Sequence, residues 1–82
     1  MKAIVNVYLK EGVLDPQGKA VHHALNSHGF NEVSDVRVGK QIILKLNESD
    51  EDKAKDRAKE MAEELLANTV IEDYDIEIIK WE

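Results

Sequence analysis

Cysteine is absent from this 82-residue sequence. That excludes a disulfide framework, thiolate nucleophiles and cysteine-based zinc sites. Aromatic residues are scarce: one Trp, two Tyr and one Phe. No apolar run approaches the ~20 residues that a membrane-spanning helix needs. The start, Met1-Lys2-Ala3-Ile4-Val5, moves straight into alternation, without the apolar stretch and small-residue cleavage site of a secretory leader. A cytoplasmic setting is the simple expectation. Glycine is limited to Gly12, Gly18, Gly29 and Gly39, too dispersed for a phosphate-cradling loop. Basic residues are outnumbered, 11 against 17 acids, for a formal net charge of −6. Residues 1–47 hold 4 acids and 6 bases, and residues 48–82 hold 13 acids and 5 bases. That balance argues against nucleic acid as a partner, because counterion release needs clustered Lys and Arg. The acidic half reads first as a solvated helix face.

What is present is clean periodicity. Ala3, Val5, Val7 and Leu9 alternate with Ile4, Asn6 and Tyr8, which predicts a strand over residues 2–9. Asp15-Pro16 reads as an N-cap followed by proline at the first helical position. Ala20, Val21, Ala24, Leu25 and His28 then recur at helical spacing. Gly29 stands where a left-handed C-terminal residue is expected, with Phe30 folding back onto the core. Val36 and Val38, a tight turn at Gly39-Lys40, and Ile42, Leu44 and Leu46 predict a hairpin. Ser49 and Asp52 resemble a capping box, with acids 50–52 at the positive end of the helix dipole. Ala54, Ala58, Met61, Ala62, Leu65 and Leu66 mark a helix near 50–67, with Glu51 and Lys55 as an i,i+4 pair. Asn68 is placed at its C-cap, and residues 70–80 read as the last strand.

The order is β-α-β-β-α-β, and loops are short, so residues 1–82 read as one domain. The fold class is α+β, ferredoxin-like: a four-stranded antiparallel sheet with both helices on one face. Its other face should then carry Ile4, Tyr8, Ile43, Ile79 and Trp81. A chain this small buries only about 60% of its unfolded surface, so an apolar second face predicts self-association as a homodimer or tetramer.

No constellation for chemistry emerges. His22 and His23 point about 100° apart on a helix, and with His28 they lack the i,i+4 spacing of a helical zinc site. Surface or half-buried histidine is the simpler reading. The acids are accounted for by caps, dipole and strand edges, and no serine lies in a nucleophile-elbow pattern. No catalytic, cofactor-binding or metal residue is assigned. An RNA-recognition domain would stack aromatics on its central strands, where this chain has Asn6, Tyr8, Ile43 and Lys45. An acylphosphatase would need a basic, glycine-rich loop where this chain reads Lys10-Glu11-Gly12-Val13-Leu14-Asp15. An ACT-like regulatory domain with a small-molecule effector stays as the alternative, although Gly12 alone does not make an effector loop.

Specific words in the sequence go further. Val7-Tyr8-Leu9-Lys10, Gly12-Val13-Leu14-Asp15-Pro16-Gln17-Gly18, Val36-Arg37-Val38-Gly39-Lys40 and the stretch Leu65-Leu66-Ala67-Asn68-Thr69-Val70-Ile71-Glu72-Asp73-Tyr74 follow in order at fixed spacing. In these the chain resembles the PurS family of phosphoribosylformylglycinamidine synthase subunits. Thr69 departs from the family, which usually has proline there; a looser helix exit is the expected consequence. The resemblance implies a role in de novo purine synthesis. There a glutaminase subunit, PurQ, releases ammonia, and a synthetase subunit, PurL, uses ATP and magnesium to activate the amide that receives it. It implies that this chain brings the two together and needs no cofactor of its own. The surfaces toward PurL and PurQ are expected at Asp15, Gln17, Arg37, Lys40, Asn68, Glu72, Asp73 and Tyr74. Capping and turn chemistry already explain Asp15 and Gly39, but nothing in a turn requires the charges of Arg37 and Lys40.

Overall fold

The computed structural model describes residues 1–80. Trp81, expected on the open sheet face, lies outside the described residues.

Strand β1 (Lys2–Leu9) forms where alternation predicts it and becomes the centre of a sheet. Its inward side chains, Ala3, Val5 and Val7, are fully buried or nearly so. Strand β2 (Lys40–Lys45) pairs with it antiparallel on one side, Ile4 opposite Ile43 and Val5 opposite Ile42. Strand β3 (Glu72–Ile79) pairs antiparallel on the other, Val5 opposite Ile76 and Val7 opposite Tyr74. The sheet is therefore three-stranded among the described residues, in the order β2-β1-β3.

The expected fourth strand and its hairpin do not form. Residues 33–39 run without turn or helix directly into β2. Gly39 is not a left-handed turn residue. Its job is close approach: a Cβ there would meet the Val7 carbonyl oxygen at 2.8 Å and Tyr8 Cβ at 3.4 Å. The preceding residues turn to helix α1 (Pro16–Ser27) instead of pairing with β2. Val38 N donates to Asp15 Oδ2 (2.8 Å), and His22 Nε2 donates to the Val33 carbonyl (2.8 Å).

Helix α1 begins as its sequence directs. Asp15 caps it, accepting from Gly18 N at 2.8 Å, and Pro16 opens the first turn. It ends ahead of Gly29, whose φ of +93° is the left-handed stop. It does not, however, form a second layer on the sheet. Ala20, Val21 and Ala24 are exposed, and Phe30, expected in the core, is 50% exposed. Ile42 and Leu44 of β2 stay half-buried for want of cover. The radius of gyration is 16.1 Å, where a compact chain of this length would have roughly 12 Å.

Helix α2 (Glu51–Met61) supplies the cover over β1 and β3. Ala54, Ala58 and Ala62 are fully buried, so the helix backbone sits close to the strands. Its cap is Asp50, one residue after the expected Ser49: Asp50 Oδ1 accepts from Asp52 N (2.9 Å) and Lys53 N (3.2 Å). The Glu51–Lys55 pair gives way to Glu51–Lys80 across to the end of β3 (3.2 Å), and the ion pair along the helix is Arg57–Glu60 (3.1 Å). The helix closes in a wider, π-helical turn, Ala62–Leu66. The extra residue in that turn rotates Leu65 off the apolar stripe, to 83% exposure, while Leu66 stays packed on the core.

Candidate interaction surfaces

The segments around Asp15, Arg37 and Asn68–Asp73 converge on the end of β1, and Lys10 joins them. Lys10 N donates to the Ile71 carbonyl (2.8 Å), and Lys10 Nζ reaches Asp73 Oδ1 (2.9 Å). The Lys10 carbonyl accepts from Arg37 Nη2 (3.2 Å). One residue thus ties the β1–α1 loop to the segment before β2 and the loop before β3.

Asp15 is the buried member of this group, at 4% exposure. Its two oxygens accept from the N–H groups of Gly18 and Val38, joining the start of α1 to the incoming segment. Those bonds, Val38 first and then Gly18, hold its carboxyl below the model value of 3.8, with burial opposing and Arg37 helping. Asp15 is therefore a structural staple, and its carboxylate is turned away from any partner. Gln17 in the first turn and Lys40 at the start of β2 are both exposed.

The loop before β3 is a closed turn. The Asn68 carbonyl accepts from Ile71 N (3.0 Å) and Glu72 N (2.7 Å), and its side-chain oxygen accepts from Val70 N (3.1 Å). Glu72 Oε1 returns the bond to Asn68 N (2.7 Å). Asn68 thus organises the turn, while Ala67 is the helix C-cap. Val70 at its tip is 81% exposed. Tyr74 stands apart from this group. It is on the helix side of β3, and its hydroxyl donates to Glu63 Oε2 at 2.6 Å. That bond, with a smaller contribution from desolvation, pushes the Tyr74 phenol up to about 12. A cleft of about 350 Å³ opens beside the group, between Gly12–Asp15, Lys19 and Asp35–Arg37. Its two cations and two carboxylates give it no single sign.

The open face of the sheet is the second surface. The register places Ile43 beside Ile4, and Lys2 between Lys45 and Ile79. Tyr8, Ile43 and Ile79 are 43%, 53% and 37% exposed, while Ile4 is half-buried. The face is apolar only at the Ile43–Ile4 end. Its middle is a polar row that periodicity alone missed: Gln41 Nε2 donates to Asn6 Oδ1 (3.0 Å), and Asn6 Nδ2 donates to Asp75 Oδ1 (2.8 Å). Only the strand pairing reveals that these three residues share a row.

Comparison with known proteins agrees along nearly the whole chain. The family model for PurS, phosphoribosylformylglycinamidine (FGAM) synthase, matches residues 2–80. The PurS subunit of Bacillus subtilis phosphoribosylformylglycinamidine synthase is 58% identical over 77 residues, covering 94% of this chain and 90% of that protein. The crystal structure of PurS from Methanocaldococcus jannaschii superposes with a TM-score of 0.89 at 46% identity, covering 99% of this chain and 98% of that one. A chain in the structure of PurLQS from Thermotoga maritima superposes with a TM-score of 0.86 at 31% identity, covering 95% of each. The whole-chain match, the shared strand and helix framework and the motif words at the end of β1 make this chain a member of the PurS family.

Proposed function

We propose that this chain is the small subunit of an FGAM synthase complex in purine biosynthesis, working by assembly and not by chemistry of its own. The observation that carries this reading is family membership over residues 2–80, joined to the relative whose solved structure is PurLQS. The glutaminase PurQ and the synthetase PurL are its partners. Holding them together makes ammonia delivery effectively intramolecular. It also keeps ammonia from bulk water, where protonation would remove its nucleophilic lone pair. ATP and magnesium belong to the synthetase, and this chain carries no cofactor. Its setting is the cytoplasm; no helix among the described residues is long and apolar enough to cross a membrane.

The contacts to PurL and PurQ fall on the exposed rim at the end of β1: Gln17, Arg37, Lys40, Asn68, Glu72 and Asp73. Asp15 and Tyr74 support that rim from inside. In the pull-down that tests this, replacing Arg37 and Lys40 together by alanine weakens capture of the partner subunits. Undiminished capture would remove both residues from the interface.

The chain also associates with itself, as a homodimer or tetramer. Supporting this are the open face with Ile4, Tyr8, Ile43 and Ile79, the exposed stripe of α1 and the half-covered Ile42 and Leu44. A chain of this size gains from a second copy that takes such surface out of water. A ferredoxin-like fourth strand would then be completed only in the assembly. Light scattering on Ile43→Glu at micromolar concentration should give a smaller particle than the unmodified chain. An unchanged mass would exclude the open face.

A further inference from the structure

Residues 33–38 are an extended segment with one edge in use and one edge free. Exposure alternates along it: Asp35 and Arg37 are exposed, Val36 and Val38 half-buried. Such period-two alternation marks a strand-like backbone, whose successive N–H and C=O groups point to opposite edges. The edge carrying the backbone groups of Val36 and Val38 faces the start of α1. Val38 N donates to Asp15 there, and the Val36 carbonyl lies against Gly18 so closely that a Cβ at residue 18 would collide with it. The opposite edge carries the backbone groups of Asp35 and Arg37. Among the described residues no hydrogen bond engages the N–H or C=O of either. An unpaired strand edge of this kind is a template for another strand.

The sequence around Val36 says which strand fits. We infer that residues 34–38 pair antiparallel with the same residues of a second copy, about a two-fold axis at Val36. In that register Asp35 stands opposite Arg37 of the second copy, and Arg37 opposite its Asp35. The free backbone groups of 35 and 37 are the ones that such pairing uses, giving two narrow hydrogen-bonded pairs that flank Val36. Each pair also sets opposite charges directly across the ladder, which is favourable, whereas like charges there are unfavourable. The patch is complementary to itself, as an isologous two-fold contact requires. The inference rests on the self-association proposed above but not on the open sheet face. It also assigns Arg37 to the second copy instead of to the partner subunits.

The test uses two full-length charge variants, Asp35→Arg and Arg37→Asp, each confirmed as folded by circular dichroism. In self-pairs of either variant, both cross-strand contacts become like-charged. In a mixed pair, both are opposite-charged again. Each variant alone should lose about tenfold in self-association, from two reversed contacts. An equimolar mixture should recover the lost association, with mixed pairs above the random share in native mass spectrometry. Self-association of each variant equal to that of the unmodified chain, or mixed pairs at only the random share, would overturn the inference. A strand of some other protein occupying this edge would give that second result. Since Ile43 is untouched, failure here leaves the open-face reading standing, and failure of Ile43→Glu leaves this one.

Discussion

Asp15 shows how much one side chain can hold when both of its oxygens accept from backbone N–H groups in different segments. The cap on α1 was legible, because Asp-Pro before a helical stripe has a local cause. The bond to Val38 N was not, since it spans 23 residues and depends on where the chain returns. Because the folded carboxyl sits below 3.8, the unfolded state binds the proton more readily. Stability from this group is therefore complete above about pH 4 and is lost as pH falls through the folded value. Asp15→Asn should flatten that acid limb in thermal melts read from neutral to acid pH. A limb of unchanged slope would assign it to other carboxylates.

Gly18 belongs to the same joint. A Cβ there would meet the Val36 carbonyl and come within 2.8 Å of Asp15 Oδ2. Gly18→Ala should therefore destabilise. Overpacking costs roughly 1–3 kcal/mol, and the gain in helix propensity of up to about 1 kcal/mol offsets only part. A melting temperature at or above the parent value would show that the joint opens freely. Tyr74 gives a third readout at this scale. Its phenol stays protonated to about 12 because of Glu63. The stability it contributes holds below pH 10 and disappears as pH rises toward the folded value. In an ultraviolet titration, Glu63→Gln should bring its ionisation down toward the ordinary range.

At the level of elements, local pattern and outcome agree where an element finds its partner within the chain. Strand β1 and helix α2 match their periodicity because each is covered by the other. Residues 33–38 and α1 have sound local patterns, yet the fourth strand and the second helical layer are missing. Strand formation needs a neighbour across the hydrogen bonds, and helix burial needs a facing surface; neither requirement is written in local periodicity. The π-helical turn at Ala62–Leu66 likewise escapes an apolar stripe counted at regular spacing. The turn after it explains Thr69 better than a loose exit does. Asn68 to Ile71 forms a turn closed by Ile71 N to the Asn68 carbonyl, with Thr69 at its second position, where proline's fixed φ fits. Thr69→Pro should raise stability by about 0.4–1 kcal/mol, mainly by restricting the unfolded chain. That corresponds to a few degrees in the melting temperature. A fall in melting temperature would mean that the Thr69 backbone differs from this turn.

For the whole molecule, an extended shape and a core of valine and small alanine side chains point the same way. Val5 and Val7 are the largest fully buried side chains, while Ile43, Phe30 and Val70 are left outside. The chain places its larger apolar groups where other chains can reach them. The lack of a catalytic constellation in the sequence and the family's place in a multi-subunit synthase are two sides of that economy. The measurement that tests it most directly is glutamine-dependent ATP turnover by PurL and PurQ, with and without this chain. Turnover should appear only when all three are present; equal turnover in its absence would contradict its role as the assembly subunit.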